Sequence, residues 1–235
     1  MNQIIQKNEY DFIINAIGIL NQMAEDNKAN AVFLNSYLPH YLAEITKNTK
    51  TRIIQISTDC VFSGKEGNYN ELSFPDGKTF YDRTKALGEL IDNKNITLRN
   101  SIIGPDINSN GIGLFNWFMK QKDEINGYSN VLWTGITTIQ LAKVIDDITK
   151  NNVYGLFNMV PEHNISKYEL IKLFNLYFKN GSLKINRYDK VILDKTLIRT
   201  NFLYKKIMPD YEIMIKEMKE WIINHKSLYK HYQII

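Results

Sequence analysis

The sequence predicts an α/β fold, and three observations carry that prediction. Short β-rich runs alternate with longer helical patterns through the first half, the rhythm of parallel βα units. Residues 11–17 form a near-continuous apolar run of strand length, as a strand covered on both faces requires. Residues 58–80, holding Gly64, Gly67, Pro75 and Gly77, make a loop too long for a simple connection. Long loops at the carboxyl ends of parallel strands are where such sheets build sites.

The elements follow in order. After the strand at 11–17, residues 30–47 place Val32, Phe33, Leu34, Tyr37, Leu38, Tyr41, Leu42 and Ile45 three and four apart, predicting a helix that Pro39 kinks. A second strand is predicted at 52–57, a helix at 81–91, and a third strand at 96–103, closed by Gly104 and Pro105. Residues 113–121 and 137–150 read as helices, 153–159 as a strand, 166–179 as a helix and 211–225 as a terminal amphipathic helix. No internal repeat, linker or low-complexity tract interrupts them.

Composition narrows the class. Apolar residues make up 44% and charged residues 23% of 235, ordinary globular usage that excludes a mostly disordered chain. Lys+Arg 29 against Asp+Glu 25 leaves a net charge of +4, but 24 of the 29 are Lys, beside 33 Ile and 27 Asn. That excess reads as AT-rich coding. With only five scattered Arg, no nucleic-acid partner is expected. The single Cys60 cannot form an internal disulfide, and Glu9 and Asp11 precede the first apolar stretch, which argues against a signal peptide. No apolar run approaches the roughly 18 residues of a membrane helix, so the expected compartment is the cytoplasm, with no membrane partner.

Tyr81 and Lys85 stand four apart and so share one helix face, where an ammonium lowers a phenol pKa and makes it a usable proton donor. Spacing alone proves nothing, since chance places about 1.4 such pairs in this composition, and Tyr168 with Lys172 is a second one. Context separates them. Tyr81 opens a helix straight after the long loop, and Ser57, Thr58 and Asp59 end the preceding strand, so hydroxyls and phenol converge on one crevice. Tyr168 lies among Leu170, Ile171, Leu173 and Phe174 and reads as packing beside a solvated charge.

Residues 56–64 (Ile-Ser-Thr-Asp-Cys-Val-Phe-Ser-Gly), 67–71 (Gly-Asn-Tyr-Asn-Glu) and 81–89 (Tyr-Asp-Arg-Thr-Lys-Ala-Leu-Gly-Glu) resemble the central block of the extended short-chain dehydrogenase/reductases. Within these, the sequence is similar to the nucleotide-sugar reductase branch that holds the dTDP-4-dehydrorhamnose reductases. The similarity continues through Leu98, Arg99, residues 101–105 (Ser-Ile-Ile-Gly-Pro), residues 135–138 (Gly-Ile-Thr-Thr), Leu141 and Ala142. The resemblance implies a Rossmann-type parallel sheet and an NADPH or NADH cofactor. It implies that Thr58 hydrogen-bonds the substrate carbonyl with Ser57 beside it, that Tyr81 protonates the developing alkoxide, and that Lys85 lowers the Tyr81 pKa while binding the nicotinamide ribose. Asn15, Ala16, Ile17 and Gly18 match the strand end and turn against the cofactor, and Asn35 a structural polar position. On the substrate side it points to Ser57, Asp59, Ser101, Trp133 and Thr137, with Arg199 for a diphosphate, ahead of Lys190 and Lys195, because its planar fork matches phosphate geometry. Trp117 and Tyr128 join Trp133 as candidates to stack on a base. No metal ligand set is expected.

Three departures stand out. Cys60 replaces an aromatic and is expected to be a small buried hydrophobe, and Thr137 replaces a proline. The largest is that no Gly-x-x-Gly-x-x-Gly turn occurs anywhere in the sequence, so the expected sheet is truncated: of an order 3-2-1-4-5-6, strands 4, 5 and 6 remain, and the strand at 12–17 has an open edge. A truncated product, a split protein completed by a partner and a remnant kept for binding all satisfy this; truncation is the preferred reading. Residues 1–105 are thus expected to be a partial dinucleotide-binding domain, and residues 106–235 mainly the sugar-nucleotide part. The expected activity is NAD(P)H-dependent reduction of a 4-keto deoxysugar nucleotide for surface polysaccharide, impaired by the missing half; a non-catalytic binding or regulatory subunit is the alternative. A homodimer or partner completing the sheet edge is the expected assembly.

Overall fold

A computed structural model describes Ile5 and residues 10–234. Glu9, used in the leader argument, lies outside the described residues. The central sheet has four parallel strands: β1 (Phe12–Asn15), β2 (Arg52–Thr58), β3 (Ile96–Asn100) and β8 (Gly155–Asn158), in the order β1-β2-β3-β8. Phe12 lies opposite Arg52, Ile54 opposite Ile96, and Ile96 opposite Gly155. The chain is α/β, as the sequence predicts, with every position of β3 buried.

Packing on the two sheet faces explains the continuous apolar strands. Ile54, Ile96, Leu98 and Phe157 meet Val144 and Ile148 of α5 (Thr138–Thr149) on one face. Ile53 meets Leu38 and Leu42 on the other. The helix predicted at 30–47 runs from 28 to 45 as three joined pieces, Lys28–Ala31, a π-helical Val32–Tyr37 and Leu38–Ile45, together α2. Pro39 accounts for the change of winding. It has no N–H to give the Asn35 carbonyl, and the Leu38 N–H bonds Phe33 O, five residues back. Gly88 comes close to that same Asn35 carbonyl: a Cβ at 88 would stand 1.8 Å from it. Only glycine allows α3 (Phe80–Leu87) to end there.

The remainder carries the short strands β4 (Ile102–Ile103), β5 (Glu124–Tyr128), β6 (Val131–Trp133), β7 (Ile136–Thr137), β9 (Ile165–Ser166), β10 (Lys184–Tyr188) and β11 (Leu193–Asp194). They pair as β10-β5, β11-β6-β9 and β4-β7. Phe115 and Phe118 of α4 (Leu114–Lys120) pack with Leu170, Phe174 and Phe178 of α6 (Lys167–Lys179) and with Ile215 and Met218 of α7 (Tyr211–Asn224). The strand predicted at 96–103 is broken at Ser101: its last two residues leave the central sheet for β7, and the Ser101 carbonyl accepts the Ile136 N–H. β5, β6, β7, β9, β10, β11 and the helix α1 (Asn21–Asp26) were not anticipated. Among the described residues β1 has a strand neighbour only on its β2 side, and Ile14 on it is half exposed.

Candidate active site

The end of β2 and the start of α3 are built by local chemistry. Thr79 caps α3, its side chain accepting the Asp82 N–H while the Asp82 carboxylate accepts the Thr79 N–H, a reciprocal capping box. The Glu25 carboxylate takes the Phe80 N–H at 2.6 Å. Tyr81 therefore enters the helix at a fixed angle, its ring packed on Ala24 and Ala31. Thr58 ends β2, and its hydroxyl accepts the Cys60 N–H at 3.1 Å and donates to Asp59 Oδ1 at 3.2 Å. These elements enclose a cleft of about 380 Å³ lined by Gly18, Thr58, Asp59, Tyr81, Lys85 and Ser101, with Ala16, Ile17 and Ser57 at its margins.

Burial, then the neighbouring Cys60, pushes the Tyr81 phenol above its ordinary pKa, while a hydrogen bond with Thr58 opposes the shift. Lys85 is pulled down to about 8 by burial, against the raising influence of Glu89, and its Nζ donates to Ile56 O at 2.7 Å. At neutral pH the phenol holds its proton and the ammonium its charge. The expectation that Lys85 lowers the Tyr81 pKa is not how this cleft stands: desolvation governs the phenol.

At the end of β1, Asn15 is buried and does not line the cleft, Nδ2 donating to Gln55 Oε1 at 2.7 Å and Oδ1 accepting the Ile17 N–H at 3.3 Å. Asn35 ties the same turn to α3, bonding both backbone groups of Ile19 at 2.9 Å and donating to Thr84 Oγ1 at 3.1 Å. A Cβ on Gly18 would stand 3.1 Å from Asn35 Oδ1 and 4.0 Å from Lys85 Nζ, so a side chain there would fill the space before the ammonium. That space suits the ribose end of a dinucleotide. Among the described residues no group of three or more His, Cys, Asp or Glu could hold a metal ion, and no helix is long and apolar enough to cross a membrane.

Several expected residues stand elsewhere. Ser57 borders the cleft, but its hydroxyl turns inward and donates to Glu89 Oε1 at 2.6 Å. Thr137 is fully buried; its hydroxyl accepts the Gln140 N–H at 3.2 Å and caps α5 instead of facing a sugar. Trp133 is 3% exposed, with Lys167 Nζ 4.6 Å from its ring centroid, so its face is not free for a base. Arg199 does not line the cleft, and its Nη1 donates to Lys206 O at 2.6 Å. Cys60 is half-buried, not fully buried, and burial pushes its thiol up to about 11. Trp117 and Tyr128 are part-exposed and line a second cavity of about 420 Å³. The second pair is a surface feature, Lys172 lying 5.2 Å over the Tyr168 ring and pairing with Glu169. Thr137→Ala is expected to cost about 1 kcal/mol through the lost cap and to leave ligand binding unchanged. Urea unfolding with nucleotide titration checks both; weaker binding at unchanged stability would return Thr137 to the site.

Two features were missed from the sequence. Glu89 and Arg99 form a bidentate ion pair, 2.6 and 2.9 Å, with side chains 3% and 1% exposed, beneath the cleft. Phe62 stacks on the guanidinium at 4.9 Å. The signal was present, because Arg99 interrupts an otherwise buried strand and a buried charge needs a partner. The other is Lys167, which faces Asp59: burial raises the Asp59 carboxyl while Lys167 and Lys195 oppose that rise.

Three comparisons place the chain. A curated dTDP-4-dehydrorhamnose reductase of Aggregatibacter actinomycetemcomitans is 26% identical over 178 residues, which cover 71% of this chain and 60% of that protein's length. The crystal structure of a dTDP-4-dehydrorhamnose reductase from Clostridium acetobutylicum superposes with a TM-score of 0.80 at 20% identity, covering 94% of this chain and 84% of that one. A UDP-N-acetylglucosamine 4-epimerase from Methanobrevibacter ruminantium gives 0.78 at 15% identity, covering 95% and 79%. These structural likenesses establish the Rossmann-type fold. The profile of the family described as RmlD substrate binding domain matches residues 1–177, and the chain belongs to that family.

Proposed function

We propose that this chain carries out the NAD(P)H-dependent reduction of a 4-keto deoxysugar nucleotide. The observation that carries the reading is the convergence of Thr58, Tyr81 and Lys85 on one cleft that Gly18 also lines, beside the Lys85 ammonium. Reduced nicotinamide, when bound, supplies the hydride. Negative charge then develops on the carbonyl oxygen, and donors fixed beforehand stabilise it most in the transition state. Tyr81 gives that oxygen its proton, Thr58 turns its hydroxyl proton from Asp59 Oδ1 to it, and the Lys85 ammonium holds the ribose. Asn15 and residues 16–18 support the cofactor's nicotinamide end, and Asp59 and Ser101 border the sugar. Residues 1–105 supply the catalytic part and residues 106–235 mainly the sugar-nucleotide part. The sugar product serves surface polysaccharide, made in the cytoplasm.

The 12 glycines include no Gly-x-x-Gly-x-x-Gly turn, so these residues offer no such backbone cradle for the dinucleotide diphosphate. Affinity of the 235 residues alone is expected near millimolar, and a further parallel strand is expected to pair with β1. Titrating NADPH by nicotinamide fluorescence into this chain, and into a version extended with a relative's glycine-rich segment, tests both points. Micromolar binding by the short chain would overturn the impaired-cofactor reading. Turnover of a dTDP-4-keto-6-deoxysugar by the extended chain supports the reductase. Binding without turnover would favour the second reading, a non-catalytic subunit.

A further inference from the structure

The cleft at Tyr81 and the cavity between Trp117 and Tyr128 are separate volumes of about 380 and 420 Å³. One side chain belongs to both neighbourhoods. Lys167, the first residue of α6, lines the aromatic cavity, and its ammonium acts electrostatically on Asp59, which lines the cleft. Its place is fixed from a second side, since Nζ sits 4.6 Å above the centroid of the buried Trp133 ring. Resting on the proposal of a sugar-nucleotide substrate, we infer that Lys167 is the anion contact of this site, holding the diphosphate that links a sugar in the cleft to a base between Trp117 and Tyr128.

The alternatives on the same surface are weaker. Arg199 lines neither cavity and spends a donor on the Lys206 carbonyl. Lys190 is exposed and lines neither cavity. The surroundings of Lys167 also suit an incoming anion. Burial lowers its pKa to about 8, so a phosphate beside it restores what desolvation removes. Asp59 does not lose all compensation when Lys167 turns to a ligand, because Lys195 also acts on it. A compact ammonium is a point charge, which suits a phosphate group better than a flat base.

Calorimetric titration of the full chain with thymidine 5′-diphosphate and with thymidine tests the assignment. Lys167→Met is expected to weaken the diphosphate at least about tenfold and leave thymidine unchanged, while Lys167→Arg keeps most of the diphosphate affinity. Lys190→Met should match the wild type in both. Equal diphosphate affinity in wild type and Lys167→Met would overturn the role of Lys167 and leave the nucleotide reading intact. Weakening of thymidine by the same factor would also overturn it, showing damage to the cavity and not loss of an anion contact. If the wild-type chain binds neither compound, the sugar-nucleotide reading itself falls, and this assignment with it.

Discussion

Tyr81→Phe is expected to lower the turnover of any reducing form of this protein by at least about a hundredfold, the usual loss when a positioned general acid is removed. The phenylalanine ring still packs on Ala24 and Ala31, so the fold should stand. What disappears is, among the described residues, the only phenol lining the cleft and the hydroxyl bonded to Thr58. Because burial holds the phenol proton firmly, Tyr81 gives it up only when a stronger base appears beside it, and an alkoxide forming from a carbonyl is one. The paired control is Tyr168→Phe, expected to stay within about twofold. Steady-state kinetics on both variants decides: full turnover in Tyr81→Phe would end the mechanism, and a large loss in Tyr168→Phe would show that the other pair does the chemistry.

The second large effect concerns stability. Glu89→Ala strands the Arg99 guanidinium, whose side chain is 1% exposed, and leaves the Ser57 hydroxyl without its acceptor. Removing one partner of a buried ion pair costs about 3–5 kcal/mol, much of it the cost of the charge left behind. Replacing both residues together, Glu89→Met with Arg99→Met, removes that penalty and should recover much of the loss. Urea denaturation of the two variants checks this through the midpoint at constant slope. If the single variant loses less than about 1 kcal/mol, water reaches Arg99 and the pair is not dry. Glu89 also raises the Lys85 pKa, so the single variant should make that ammonium titrate lower still.

Much of the fold was legible because long apolar runs and the β2-loop-α3 block carry strong local signals. The strand at 52–57 and the helix at 211–225 appear within a residue of their expected bounds, and Thr58, Tyr81 and Lys85 do share a cleft. The seven short strands are another matter. β7, β9 and β11 have two residues each and form only because tertiary packing brings their partners together, so no periodicity announces them, while β4 was read only as the end of the strand at 96–103. The same limit applies to the site's outer ring. The Thr137–Gln140 spacing at the start of a helical pattern is a local capping signal that went unread, but nothing local tells that Trp133 carries a lysine on its face or that Arg199 is turned to a carbonyl. For Trp133 this depends on which way a strand of three residues faces, and for Arg199 on a segment outside any strand.

The pairing of β3 with β8 has a consequence for the order in which the chain is made. β3 is complete at Asn100, but the strand on its far side does not begin until Gly155. A nascent chain leaving the ribosome therefore presents one side of a strand rich in Ile and Leu while residues 101–154 are still being added. At about 5–20 residues per second, that interval is on the order of 3–10 s, long beside hairpin or helix formation. The Tyr81 cleft sits at the end of this unfinished sheet. That sheet is complete only after residues 101–154 have been added, so the window in which the chain needs shielding from its neighbours closes with the arrival of β8.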